Sequence, residues 1–216
     1  MKAPIRSVIS FAQLLRNNSY DKLGEKDGKF LDIIITASTN MQVLIDDLLA
    51  FSRINTQQIE FEEVDLPKLL NHLLIEINQS IAEKDGEVNI ISLPEQMTCD
   101  ASRLRQVFQN LITNAMKFHK EGETPYVEID FEEETDFYKF RVTDRGIGIE
   151  QDYHNEVFLM FKKLYSENKY KGTGIGLSIC KKIIEQHQGD IWLDSTVGEG
   201  SSFYFTVSKK LEVTIL

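Results

Sequence analysis

The chain has 216 residues, of which 42% are hydrophobic and 27% charged, and its formal net charge is −10 at pH 7. The acidic charge argues against binding to nucleic acid and against a polybasic membrane patch. The longest apolar runs fall far short of the roughly 18 residues that a membrane span needs. The two cysteines, Cys99 and Cys180, lie far apart and fit buried free thiols in a reducing compartment. We therefore expect a cytoplasmic region, although the full-length protein can still be anchored to a membrane.

Residues 2–57 predict two helices joined by the polar loop NNSYDKLGEKDG. The second helix carries an apolar heptad seam formed by Phe30, Ile34, Ala37, Met41, Leu44, Leu48 and Phe51. Because two helices cannot bury such a seam alone, we expect residues 2–57 to form a homodimeric four-helix bundle. The alternative is that the seam packs against the rest of its own chain. We predict that this first domain spans residues 1–59.

Residues 60–216 alternate between strands and helices and predict a second domain. FEEVDL and GEVNIISL predict strands, and YVEIDFEEE with DFYKFRVTD predicts a hairpin. One helix begins with Pro67 after Asp65, a second is capped by Asp100 or Ser102, and a third ends at Gly189. DIWLDSTV and SSFYFTVSKK predict the closing strands. The chain is therefore predicted to be α+β, with a helical hairpin followed by a two-layer α/β sandwich whose mixed sheet is covered by helices on one face.

The second of these helices has a polar stripe made by Asn110, Asn114 and Lys117, which lie at spacings of four and three residues. A carboxamide oxygen suits Mg²⁺, and a lysine suits a phosphate. The other interpretation is a solvated polar face.

Two glycine-rich turns follow. In DRGIGI, the carboxylate of Asp144 ends a strand, and Gly146 and Gly148 allow close approach of the backbone to a ligand. This carboxylate could accept a hydrogen bond from an exocyclic amine such as that of adenine, or the segment could be an ordinary Asp-Gly turn. In GTGIGL, Gly172, Gly174 and Gly176 lead into a helix, which indicates either a phosphate site or a tight turn.

The ordered set NLITNAMKF, DRGIGI and GTGIGL resembles the N, G1 and G2 boxes of the ATP-binding domain of sensor histidine kinases, the GHKL type shared with gyrase, MutL and heat-shock chaperone ATPases. EVFLMFKKL resembles the F box, with Phe158 and Phe161 as its phenylalanines, and GEGSSFYFTV resembles the closing turn and strand. The resemblance covers about residues 60–208, and the helical hairpin extends it to the N-terminus. The form KAPIRS, together with FKKL, looks closest to the phytochrome-like kinases.

The resemblance implies ATP and Mg²⁺ as cofactors. Asn114 would coordinate the metal, Asn110 and Lys117 would act at the phosphates, and Asp144 would read the adenine amino group. Residues 150–171 would form a nucleotide lid. The remaining ATP-binding set would be Phe118, Gly146, Gly148, Ile149, Phe158, Phe161, Lys162, Lys163, Gly172, Thr173, Gly174, Gly176 and Leu177, with Lys162 and Lys163 at the γ-phosphate.

One position favours phosphoryl transfer over hydrolysis. Gyrase-type ATPases carry a glutamate base four residues before the metal asparagine, where this chain has Asn110. A carboxamide cannot take a proton at neutral pH. The γ-phosphoryl would therefore pass to a histidine and then to an aspartate on a response-regulator receiver domain, under the control of an upstream sensor domain.

The phosphoacceptor histidine itself is missing from the sequence. MKAPIRSVISFAQLL looks like the tail of the acceptor motif, which would place the histidine two residues before Met1. None of the four histidines, His72, His119, His154 and His187, fits the role, and each is expected to be a surface or cap residue. We therefore expect that the fragment cannot autophosphorylate. The alternatives are a non-catalytic dimeric nucleotide-binding or scaffold module, and a Ser/Thr kinase of the anti-sigma type.

Overall fold

The protein is represented by a computed structural model, which describes residues 2–19, 24–56, 58–164 and 172–214. The chain divides into two compact units: the first lies within residues 1–56 together with 171–173, and the second within 57–170 together with 174–216. None of the helices in the described ranges combines the length and the apolar character that crossing a bilayer requires.

The first unit contains the helices α1 (Lys2–Ser19) and α2 (Glu25–Thr56). They pack against each other, and the Nε of Arg16 lies 3.1 Å from a carboxylate oxygen of Asp32. The predicted loop was too long at its C-terminal end, because α2 already begins at Glu25. The carbonyl of Gly24 accepts the backbone N–H groups of Asp27 and Gly28, which starts the first turn inside the predicted loop.

Most of the predicted heptad seam is exposed. Phe30, Ile34, Met41 and Leu48 have 51%, 44%, 52% and 47% of their surface exposed. Leu44 and Phe51 are half-buried. The hairpin therefore presents an apolar stripe that its own two helices do not cover.

Among its described residues, the second unit has a five-stranded sheet, a separate two-stranded sheet, three α-helices and two short 3-10 turns. The strands and α-helices are β1 (Glu62–Asp65), α3 (Leu66–Ala82), β2 (Glu87–Ile90), β3 (Gln96–Cys99), α4 (Ala101–Lys117), β4 (Tyr126–Glu133), β5 (Phe137–Asp144), α5 (Gly176–Gln186), β6 (Ile191–Thr196) and β7 (Gly200–Ser208). The large sheet has the order β2-β4-β5-β7-β6, in which β2 and β4 are parallel and the other pairs antiparallel. This mixed sheet, with its helices and the preceding helical hairpin, confirms the predicted fold class.

Strand β3 was not predicted. It is four residues long and pairs antiparallel with β1 in the two-stranded sheet. So short a segment has too few positions for a period of two to be recognised, and its pairing partner lies more than thirty residues earlier in the chain.

Aspartates cap the N-termini of two of the helices. The side chain of Asp65 accepts the N–H of Lys68 at 2.9 Å at the start of α3, with Pro67 in the first turn as predicted. Asp100, rather than Ser102, caps α4 and accepts the N–H of Arg103 at 3.1 Å. Such a cap contributes about 1 kcal/mol.

The third helix ends earlier than predicted. Helix α5 stops at Gln186, and the left-handed residue that follows is Gln188, with φ of 56°, rather than Gly189. Gly189 is required for a different reason. A Cβ at this position would lie 1.9 Å from the carbonyl oxygen of Thr206, so the backbones approach too closely for any side chain.

The core lies between the large sheet and the helices. Phe108 of α4 meets Phe140 of β5 and Phe205 of β7, with ring centroids 5.7 and 5.4 Å away. Cys99 and Cys180 are buried free cysteines, as predicted. The core thus fixes α4 over β5, and these two elements carry most of the polar residues that the motifs identified.

Candidate functional site

Asp144 lies at the C-terminal end of β5, beside the start of β7. Its Oδ1 accepts the backbone N–H groups of Gly146 at 2.7 Å and Ser201 at 3.2 Å. Burial raises the pKa of Asp144 to about 6, and the two backbone hydrogen bonds only partly offset this effect. Within the described residues Oδ2 accepts no hydrogen bond, so one carboxylate oxygen is available to a ligand donor.

The turn after Asp144 is held by backbone contacts on both sides. The N–H of Ile147 donates to the carbonyl of Phe118 at 2.9 Å, and the carbonyl of Ile147 accepts the N–H of Gly198 at 2.8 Å. A Cβ on Gly146 would lie 2.5 Å from the oxygen of Phe118. Only glycine fits at this position, because the backbone of the turn packs directly against the residue that follows α4.

Gly148 is the second glycine that the turn requires. Its φ is +72°, and a Cβ would lie 2.0 Å from the carbonyl oxygen of Thr196. The next N–H, that of Ile149, donates to the hydroxyl of Ser195 at 2.8 Å. The predicted pair of G1 glycines therefore allows the backbone to pass between α4 and the turn that joins β6 to β7.

The polar stripe on α4 contacts the start of α5 through Asn110. The Nδ2 of Asn110 donates to the carbonyl oxygen of Gly176 at 3.3 Å. Asn114 is half-buried, and its side chain makes no hydrogen bond to any described residue. A half-buried carboxamide without a protein partner retains its capacity to bind a metal ion or a ligand.

Lys117 is half-buried at the end of the stripe. Its Nζ lies 4.3 Å from the ring centroid of Phe118. Burial lowers the pKa of Lys117, and the neighbouring ammonium groups of Lys163 and Lys84 lower it further. The Nζ of Lys84 donates to the carbonyl of Met116 at 2.9 Å, which holds it near the C-terminus of α4.

We call Lys84, Lys117 and Lys163 the lysine cluster. The repulsion among these three cations is relieved when an anion binds between them. Sequence reasoning identified Lys117 and Lys163 but missed Lys84. Lys84 follows α3, and nothing in its local sequence indicates proximity to α4.

The start of α5 has no side-chain cap. The residue before the helix is Ile175, whose apolar side chain forms no capping hydrogen bond. The first N–H groups of α5 therefore remain available to an anion. Gly174 precedes them with φ of +75°, and a Cβ there would lie 2.7 Å from the carbonyl oxygen of Lys162. Leu177, in the first turn, is half-buried.

Two residues of the G2 box lie in the other unit. Gly172 and Thr173 group with the helical hairpin rather than with the second unit. Their predicted roles in nucleotide binding remain predictions.

The predicted lid begins with two short 3-10 turns, Gln151–Tyr153 and Glu156–Phe158. Phe158 is 7% exposed and meets the ring of Phe203 edge-on, with the centroids 6.5 Å apart. Phe161 is 54% exposed and has a φ of 62°. The two F-box phenylalanines thus differ, since one anchors the segment and the other is presented to solvent. Residues 165–171 of the lid lie outside the described residues.

Lys162 makes contacts within the lid. Its Nζ forms an ion pair with Glu156 and lies 5.3 Å from the ring centroid of Tyr153. Contact with a γ-phosphate would require exchange of this ion pair. Lys163, the other predicted γ-phosphate contact, belongs to the lysine cluster.

The polar groups of the second unit thus fit a nucleoside triphosphate with Mg²⁺. A buried carboxylate has one oxygen available, and a carboxamide has no partner among the described residues. The helix that carries this carboxamide contacts the uncapped start of α5 at Asn110 and the lysine cluster at Lys117, and the turn after Asp144 contacts the residue that follows this helix. Glycines leave space where a Cβ would collide with the backbone. These donors and acceptors are the ones that adenine, a divalent cation and phosphates require.

Family models match both parts of the chain. The model described as "Histidine kinase-, DNA gyrase B-, and HSP90-like ATPase" matches residues 99–211. The chain belongs to this family. The model described as "His Kinase A (phospho-acceptor) domain" matches residues 1–57. The chain therefore carries the domain pair of a histidine kinase core, and the resemblance expected from its motifs is confirmed.

Relatives agree with this membership, and solved structures share the fold. The phytochrome-like protein Cph1 of Synechocystis sp. is 39% identical over 96% of the chain, which spans 27% of Cph1. The structure of full-length ShkA with AMPPNP covers 100% of the chain with 24% identity and a TM-score of 0.72, over 45% of ShkA. The histidine kinase ThkA, solved with the response regulator TrrA, covers 96% of the chain with 23% identity and a TM-score of 0.67, over 59% of ThkA. The chain thus spans about a quarter of the length of Cph1, and it resembles the phytochrome-like kinases as expected.

Proposed function

We propose that the chain is the ATP-binding core of a two-component histidine kinase, which transfers the γ-phosphoryl group of ATP to a histidine and then to an aspartate of a response regulator. The observation that carries this proposal is that one unit, matched by the ATPase family, contains the buried carboxylate of Asp144, the carboxamide of Asn114 and the lysine cluster. The AMPPNP complex of ShkA and the regulator complex of ThkA support the choice of nucleotide and partner.

Each residue of the site has a task in this proposal. Asp144 would accept the adenine amino hydrogen, and Asn114 would hold Mg²⁺ through its carboxamide oxygen. The lysine cluster and the uncapped start of α5 would bind the phosphates. Bound ATP would supply the phosphoryl group, with Mg²⁺ offsetting the charge between its phosphates.

In this proposal, the chemistry of Asn110 supports transfer over hydrolysis. An attacking water has to lose a proton, and a carboxamide cannot accept it. A neutral imidazole attacks through its unprotonated ring nitrogen, and the proton on its other ring nitrogen can leave to solvent afterwards, so a histidine acceptor would not depend on a base at position 110. The site would therefore bind and orient ATP and leave the nucleophile to a histidine.

We further propose that this histidine is supplied from outside residues 1–216. His72, His119, His154 and His187 all lie outside the matched phosphoacceptor region, residues 1–57. The fragment would then bind ATP without phosphorylating itself. The exposed seam of α2 supports a homodimer through residues 2–57, and the 27% coverage of Cph1 supports an upstream sensor domain.

Calorimetry with Mg·ATP tests the binding site. The variant Asn114→Ala should lose most of its Mg²⁺-dependent affinity, because alanine removes the carboxamide oxygen proposed to hold the metal. Asn78→Ala is the matched control, since Asn78 is an exposed asparagine on α3. Equal Mg·ATP affinity in both variants would show that Asn114 does not hold the metal.

Incubation with γ-labelled ATP tests the transfer. The chain itself should gain no acid-labile label, whereas a version extended by its own upstream residues should gain label on a histidine and pass it to a receiver domain. An extended version that binds ATP but never gains label would favour the non-catalytic dimeric nucleotide-binding module instead.

A further inference from the structure

We propose that His187 is a positioning residue for the nucleotide site, which holds the end of α5 against the start of α4 and so keeps the two helices in register. The inference rests on the proposed function, because it concerns how the ATP site is kept in place. The hydrogen bonds and the ring contact of the His187 side chain are made to Asp100, Ile183 and Phe61, none of which is assigned to ATP or Mg²⁺.

The hydrogen bonds of His187 define its tautomer. The ring is completely buried. Its Nε2 lies 3.1 Å from the backbone nitrogen of Asp100, and its Nδ1 lies 2.8 Å from the carbonyl oxygen of Ile183. The backbone N–H must donate and the carbonyl must accept. His187 is therefore neutral, with its proton on Nδ1.

The partner of Nε2 is the capping residue of α4. The side chain of Asp100 already accepts the N–H of Arg103, and its other carboxylate oxygen lies 3.2 Å from the Nε of Arg103. The Arg103 guanidinium also contacts the side chain of Gln186, the last residue of α5. The end of α5 and the start of α4 are thus joined by two polar contacts, one from His187 and one from Arg103.

At its other end, the start of α5 contacts the middle of α4 in the nucleotide site. There Asn110 of α4 donates to the carbonyl of Gly176, the first residue of α5. Helix α5 has 11 residues, which makes it a rod of about 16 Å. A rod fixed at both ends cannot tilt. If the His187 end is released, the Gly176 end and its uncapped N–H groups can move away from Asn110.

Burying an imidazole costs free energy that an apolar side chain at the same position would not cost. Burial lowers the pKa of His187, and the nearby guanidinium of Arg103 acts in the same direction, against the hydrogen bond to Ile183 and the carboxylate of Asp100. The ring also meets Phe61 edge-on, with the centroids 5.4 Å apart. A leucine could fill the same buried space. Only a hydrogen-bond acceptor at the Nε2 position satisfies the buried N–H of Asp100.

Two substitutions separate the hydrogen bond from the packing. In His187→Gln the amide reaches the position of Nε2, so its oxygen can accept the N–H of Asp100. In His187→Asn the amide reaches only the position of Nδ1, so it can donate to Ile183 but leaves Asp100 unpaired. Leu73→Ala, which creates a cavity at a buried position of α3, controls for loss of stability, because Leu73 takes no part in the hydrogen bonds that join the end of α5 to the start of α4.

The Kd of Mg·ATP, measured by calorimetry well below the unfolding temperature of each variant, is the first readout. If His187→Asn populates the competent arrangement about a tenth of the time, the Kd rises about 10-fold. We expect His187→Gln and Leu73→Ala to stay within about 3-fold of the parent. The second readout is the ¹⁵N spectrum of the imidazole in the parent, which should show the Nδ1–H tautomer with or without ATP.

The outcomes distinguish this inference from the proposed function. A parent chain that binds no ATP overturns both. A parent that binds ATP, with His187→Asn binding equally well or His187→Gln losing as much as His187→Asn, overturns the positioning role alone. An Nε2–H tautomer or a protonated ring at neutral pH also overturns it.

Discussion

Replacing Asp144 with asparagine should stabilise the protein while weakening ATP binding. The carboxylate is held in a buried position, where its pKa rises from 3.8 to about 6. Ionisation at neutral pH therefore costs folding free energy. A pKa higher by about two units corresponds to at most about 3 kcal/mol. Asparagine has no charge to desolvate, and its amide oxygen can still accept the N–H groups of Gly146 and Ser201.

The stability difference between Asp144→Asn and the parent should depend on pH. Because the folded state binds the proton more tightly, the stability of the parent falls as pH rises from about 3.8 to about 6 and is then constant. We expect Asp144→Asn to gain about 1–3 kcal/mol at about pH 7.5 and to gain about 1.4 kcal/mol less at about pH 5. The comparison of variant with parent at each pH removes the titration of the other carboxylates.

Urea denaturation followed by tryptophan fluorescence measures this difference. The single tryptophan, Trp192, lies on β6 of the second unit and is 40% exposed, so it reports on the unit that contains Asp144. Calorimetry of the same variant should show weaker ATP binding, because the amide nitrogen would meet the adenine amino group as a second donor. A variant no more stable than the parent at about pH 7.5, or a gain that does not change with pH, would refute the reasoning.

Three further predictions follow from the same structure. The parent should bind ATP much more tightly than GTP, and Asp144→Ala should narrow the difference; equal affinities in the parent would remove the adenine-reading role. Gly148→Ala should lower the free energy of unfolding by about 2 kcal/mol or more, because the residue has a positive φ and a Cβ would collide with the carbonyl oxygen of Thr196. An unchanged melting temperature would contradict this prediction. Replacing Met41 and Leu48 with glutamate should dissociate the dimer, as seen by light scattering, and leave ATP binding intact; a parent that is monomeric at every concentration would refute the four-helix bundle.

Local patterns determined the parts of the molecule that the sequence predicts. The heptad seam, the alternating strands of β4 and β5 and the aspartate caps all depend on residues within a few positions of each other. The order of the N, G1 and G2 boxes then identified the family, because several motifs in a fixed order constrain the fold far more than any one of them. The residues of the site could therefore be named, although their geometry could not.

Only the tertiary structure decided the contacts between distant segments. Strand β3 exists because it pairs with β1, and Lys84 joins Lys117 because α3 ends beside the last turn of α4. His187 was expected at the surface or as a cap, and it does follow the last residue of α5, but its ring is completely buried against Asp100, 87 residues earlier. The raised pKa of Asp144 likewise comes from burial between β5 and β7. Such effects depend on how the chain packs, and no period or spacing along the sequence encodes them.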